Sequence, residues 1–168
     1  MKIIGSTVYE GRNIHSHKKC IVLDVDLEGY SEIPSKDIKR FNEKLIRLLP
    51  ILHTHRCGID EEGGFVKRLK EGTYLAHICE HMIIAIHNIL GMDIYYGKAR
   101  EIKGDKYIVV YQYEYSKTGI ELGPITSSFN IFFIAFNLSS KNTFSPYINE
   151  FIISTANFPI SIPVLLYS

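Results

Sequence analysis

The segment Gly72–Gly91, GTYLAHICEHMIIAIHNILG, constrains this chain more than any other. Bounded by glycines and free of proline, it reads as one helix, with Thr73 as the expected N-cap and Gly91 as the expected stop. Leu75, Ile78, Cys79, Met82, Ile83, Ala85, Ile86, Ile89 and Leu90 surround most of its circumference. A helix apolar on so many sides has to be covered by other chain. Yet with about 100° per residue, Glu80 falls about 60° to one side of His77 and His81 about 40° to the other. Three ionisable groups thus share a narrow stripe, and that stripe has to open onto a cleft.

The rest of the chain supplies the cover. Lys2–Val8 and Cys20–Leu27 alternate as strands, with Ile21, Leu23, Val25 and Leu27 on one face of the second. Ser35 is the expected cap of a helix reaching Leu49, with Ile38, Phe41 and Leu45 along its apolar side and Pro50 as its stop. ILHTHRCGIDEEGG reads as loop, and FVKRLKEG as a two-turn helix ended by Gly72. A short strand, a turn near Gly104 and a strand Tyr107–Tyr115 follow. This order predicts an α+β domain: a small, mainly antiparallel sheet with two to three helices packed on one face.

A chain of 168 residues suffices for one domain with a proper core. Its formal charge of +1 makes no field that would gather nucleic acid or an anionic membrane. No run of 18 apolar residues reads as a membrane span, and the N-terminus has no signal-peptide pattern, so the expected location is cytoplasmic. The sequence leaves self-association open. Cys20, Cys57 and Cys79 form no CxxC pair; Cys20 and Cys79 sit in apolar segments, where reduced, buried thiols are expected.

The order His77-x-x-Glu80-His81 is that of the inverted zinc motif HxxEH. Residues four apart stack on one helix face, so both imidazoles reach a single metal ion, and the intervening glutamate flanks it as a proton acceptor. Zinc is the expected ion; it needs a third protein ligand and an open position. Glu114 on the last strand is one candidate for that third place. The HTHRC loop offers others, with His55 as ligand or substrate contact and Cys57 as a soft ligand. In an extended loop His53 and His55 would point the same way. Arg56, Arg68 and Arg100 are candidates to receive a carboxylate bidentately. Gly63 and Gly64 precede a helix and fit either an anion-binding turn or a plain tight turn. No GxxxxGK or GxGxxG accompanies them, so no nucleotide site is expected.

Taken together, GRNIHSHKKCIVLDVDL, the run from LLPILHTHRC to HNILGM, YYGKAR and YIVVYQYEYSKTG resemble the N-terminal domain of cyanophycin synthetase, from about Arg12 to Gly119. That enzyme family makes an arginine-bearing poly-aspartate polymer, using ATP-grasp and Mur-ligase-like domains with no counterpart in these 168 residues. The resemblance therefore implies a polymer-handling module that does not polymerise alone. In some relatives a metal-dependent site in this domain is thought to cut the polymer into primers. Carried over, that site is the stripe His77, Glu80 and His81 with the HxHxC loop nearby; together with the residue reading above, the expectation is zinc on His77, His81 and Glu114, with Glu80, His55 and Arg100 as the reacting and stabilising groups. The expected partner is a cyanophycin-like polymer of aspartate and arginine; the other expectation is a module that binds the polymer without cutting it, or a truncated fragment of the synthetase.

Composition changes after Gly119. The chain holds 19 basic and 18 acidic residues, yet only Glu121, Lys141 and Glu150 are charged beyond that point. The expected division is a domain over 1–119 and a low-charge tail over 120–168, which is either buried by a partner or by further chain or is not the natural continuation of the domain.

Overall fold

A computed structural model describes residues 1–58, 61–89 and 94–112. Glu114 and the tail fall outside the described residues. Four strands, β1 (Lys2–Tyr9), β2 (Cys20–Asp26), β3 (Gly97–Lys103) and β4 (Lys106–Gln112), form one sheet in the order β1-β2-β4-β3. Every pairing is antiparallel. Three helices accompany it: α1 (Phe41–Leu48), α2 (Gly64–Glu71) and α3 (Leu75–Ile89). This is the α+β architecture that the alternation of the strands and the periods of the helices predict.

The register fixes which face the helices cover. Directly opposed residues of an antiparallel pair project to the same side. Gly97 pairs with Tyr111. A side-chain atom at Gly97 would run into Glu80 and Ile84 of α3, and the Tyr111 ring lies 4.8 Å from that of His87. The helix face therefore carries Gly97, Ala99, Val109 and Tyr111, joined by Ile21, Leu23 and Val25 of β2. The three β2 side chains are no more than 2% exposed. Each such burial contributes roughly 1.5–3 kcal/mol.

The opposite face holds a smaller cluster of Cys20, Val22 and Val110 with Tyr9 and Ile108. The loop after β1 lies over it. Asn13 donates to Cys20 Sγ, Lys98 Nζ donates to the His15 carbonyl, and the Gln112 amide donates to Ser16 Oγ. Arg100 pairs with Ile108, so it belongs to this second face, and it is exposed.

Two helix starts differ from the sequence reading for a common reason. Ser35 opens only a short 3-10 turn, Ser35–Asp37, and α1 begins at Phe41. The Ser35 hydroxyl donates to the Leu69 carbonyl at the end of α2 and accepts the Thr73 amide, so it is not available as a helix cap. Asn42 donates to the same Leu69 carbonyl, satisfying an acceptor that the end of α2 leaves open. Thr73 does not cap α3 either; its hydroxyl bonds to His77 Nδ1 at 2.8 Å. Both side chains tie elements together. Among the described residues no helix is long and apolar enough to cross a membrane.

Candidate metal centre

The polar stripe of α3 faces a cavity of about 790 Å³, lined by His77, Glu80, His81, Ile84 and Asn88. The segment Thr54–Gly58, Glu62, Arg68 of α2, and Ile94–Gly97 leading into β3 complete its wall.

Three candidate ligands meet there. One ligand atom from each of Cys57, His77 and His81 lies within 4.8 Å of the other two. Cys57 Sγ is 3.2 Å from His77 Nε2. The Thr73 hydroxyl takes His77 Nδ1, which leaves Nε2 as the nitrogen facing Cys57. Such a partner on the far nitrogen fixes the ring and its tautomer for metal binding. His81 is buried, with Phe65 stacked on it at a centroid distance of 4.0 Å. His81 Nδ1 lies 2.9 Å from His55 Nδ1.

Burial, then the charge of Arg68, lowers the pKa of His77; burial, then His77, His55 and Arg68, takes that of His81 down to about 2. Both rings are neutral at ordinary pH, the state in which imidazole binds metal. Burial raises the Cys57 thiol while Arg68 beside it pulls the other way. A metal ion displaces that proton. Two imidazoles and a sulfur make a soft set that suits zinc chemistry, so the donors present fit the ion that the sequence motif requires.

Glu80 sits beside this cluster. Burial pushes its carboxyl up to about 7, and a hydrogen bond from the Ala99 backbone restrains the rise. A carboxyl divided between its two forms near neutrality suits proton transfer in both directions. Its position depends on Gly97: a Cβ there would lie 2.8 Å from Glu80 Cγ. The glycine lets the glutamate lie flat against the strand.

Of the residues singled out in the sequence, His77, Glu80, His81 and His55 line one cavity. Glu114 lies outside the described residues. Arg100 does not line the cavity and projects from the other side of the sheet, while Arg56 and Arg68 both line it. Strand alternation alone separates Arg100 from the site. His53 and His55 do not share a direction: Pro50–Thr54 is a 3-10 helix, leaving His53 exposed and His55 buried. At three residues per turn, positions two apart diverge. His55 Nε2 is buried without a partner among the described residues. Gly63 has φ +83° at the start of α2, which accounts for a glycine there by backbone geometry alone. Cys20 and Cys79 are buried and unpaired, as their apolar surroundings require.

The fold and the cavity define a small α+β domain with a His/Cys cluster capable of holding a metal ion. Residues 22–131 match the family described as the cyanophycin synthase-like N-terminal domain, and the chain belongs to that family. It is 38% identical over 128 residues to the cyanophycin synthetase of Geminocystis herdmanii, covering 74% of this chain and 15% of that protein. It is 41% identical over 122 residues to the cyanophycin synthetase of Synechocystis sp., covering 71% and 14% respectively. Against the Crocosphaera subtropica synthetase the identity is 37% over 122 residues, again 71% and 14%. The chain thus aligns with about one seventh of the length of these relatives.

Proposed function

We propose that this domain is a zinc-dependent amide hydrolase that cuts a cyanophycin-like polymer into shorter chains. The observation that carries the reading is the convergence of Cys57, His77 and His81 beside Glu80 in one cavity. His77, His81 and Cys57 would hold the ion, with Cys57 in the third protein position that zinc requires. When bound, zinc supplies Lewis-acid activation of water and of the scissile carbonyl. Glu80 takes the proton of a water that attacks the carbonyl carbon. As the carbon–nitrogen bond breaks, the same carboxyl returns the proton to the leaving nitrogen. Phe65 and His55 pack against His81 and hold its ring in place. The polymer is assigned from family membership, and no other component of the synthetase reaction is attributed to this domain.

The size of the cavity favours a second reading, in which the domain grips the polymer without cutting it. One experiment separates the two. The full chain is loaded with zinc and offered cyanophycin or a short β-aspartyl-arginine oligomer, and chain lengths are followed by mass. Shorter chains are expected from the wild type. Glu80→Gln should keep its zinc and lose about 10²- to 10⁴-fold in rate. His77→Ala, His81→Ala and Cys57→Ser should lose zinc and activity together. Polymer retention by zinc-loaded wild type with no change in chain length would reject hydrolysis in favour of binding.

A further inference from the structure

Two arginines, Arg56 and Arg68, line the cavity with His77, Glu80 and His81; Arg56 is engaged in an interaction of its own, and Arg68 reaches the cavity from α2. It is exposed, at the cavity wall that it shares with Cys57. Arg68 takes no part in the ion pairs Met1–Glu28, Lys19–Glu10 and Arg40–Glu43. A guanidinium has five N–H donors in a rigid planar fork. A fixed cation in a cleft with low-dielectric walls concentrates anions there.

We propose that Arg68 is the receptor for a substrate carboxylate, making the cavity selective for amides with an anionic group next to the scissile bond. This rests on the hydrolase reading above for its catalytic consequence, but not for the binding itself. The matching group is a carboxylate, because its two oxygens accept the parallel N–H bonds that the fork presents. The rival role is confined to the protein: Arg68 would only hold the Cys57 sulfur in place for the metal.

The test has a binding arm and a cleavage arm, both on the zinc-loaded full chain. Succinate, as a plain carboxylate probe, is titrated by calorimetry into wild type, Arg68→Gln and Arg68→Lys. Succinate affinity should fall about 10- to 100-fold in Arg68→Gln, the worth of a charge-assisted pair. Arg68→Lys, which keeps the charge without the fork, should lose less. In the cleavage arm, oligomers with free carboxylates are compared with the same oligomers amidated. The wild type should prefer the free acids, and Arg68→Gln should lose that preference through KM, with kcat and zinc content little changed. Equal succinate affinity in wild type and Arg68→Gln overturns the proposal. So does an Arg68→Gln protein that loses zinc but keeps its preference for carboxylates. If the wild type cuts nothing, hydrolysis fails as a reading, and the succinate titration still decides the role of Arg68.

Discussion

Replacing Gly97 by alanine adds one methyl group to the contact between α3 and β3. Its Cβ would lie 2.8 Å from Glu80 Cγ, 3.1 Å from Ile84 Cδ1 and 3.2 Å from the Val110 carbonyl oxygen. The Gly97 backbone is not in the left-handed region, so the cost is steric rather than conformational. Val110 belongs to the paired strand β4 and cannot retreat without disturbing the ladder. The glutamate has to move instead, by roughly 1 Å, to regain an ordinary carbon–carbon separation of about 3.5–4.0 Å. Overpacking of this kind costs about 1–3 kcal/mol. A misplacement of about 1 Å at a reacting group costs on the order of 100-fold in rate. Urea unfolding of Gly97→Ala, alone and combined with Glu80→Ala, isolates the contact without any need for activity. Because Glu80→Ala removes Cγ, most of the alanine's cost should disappear in the double variant, giving a coupling above about 0.5 kcal/mol. Zinc content should be unaffected in Gly97→Ala, since none of the three atoms nearest the new methyl belongs to a histidine or to Cys57. An equal cost in both backgrounds would refute the claim that Gly97 sets the height of Glu80.

Thr73→Val removes the acceptor at His77 Nδ1 with little change in shape, and should weaken zinc binding about 10- to 100-fold in a chelator competition. Unchanged affinity would show that the hydroxyl does not orient the ring. His87 gives a pH prediction away from the metal cluster: burial lowers its pKa from the ordinary 6.5, against the pull of its hydrogen bond to the Ile83 carbonyl. The unfolded chain then takes up a proton below about pH 6.5 that the folded chain refuses, so His87 makes stability fall as the pH falls. Each full proton difference is worth up to about 1.4 kcal/mol per pH unit. His87→Asn, which can keep a donor toward Ile83, should flatten the acid limb of the stability curve by that share. An unaltered slope in urea titrations from about pH 6.5 to 5 would remove His87 from the account.

The elements that carry the site are legible in the sequence because their signals are periodic. A 3.6-residue repeat puts His77, Glu80 and His81 on one side of α3, and a two-residue repeat puts Ile21, Leu23 and Val25 on one face of β2. What escapes such reading depends on contacts between distant segments. Ser35 and Thr73 have the chemistry of helix caps, but each is used across an interface, Ser35 with Leu69 and Thr73 with His77. Arg100 reads in the sequence as a carboxylate receptor, but the sheet face it takes is settled only by its pairing with Ile108. Arg68 is equally plain in the sequence as a solvated helix residue, and only the packing of α2 against the Cys57 loop brings it to the cavity. For Gly97 the signal is a glycine opening a strand, which commonly marks a close approach without saying what approaches.

Cys57 and His77 are 20 positions apart, and the whole of α2 lies between them. An ion held by both closes that stretch into a ring, as a covalent staple would. The unfolded chain then loses the entropy of an open loop, a quantity that changes only slowly with loop length. A bound ion would therefore tether α2 as well as the ligands. Arg68 rides on that helix, so the same closure that ties down the segment also holds the guanidinium at the cavity wall.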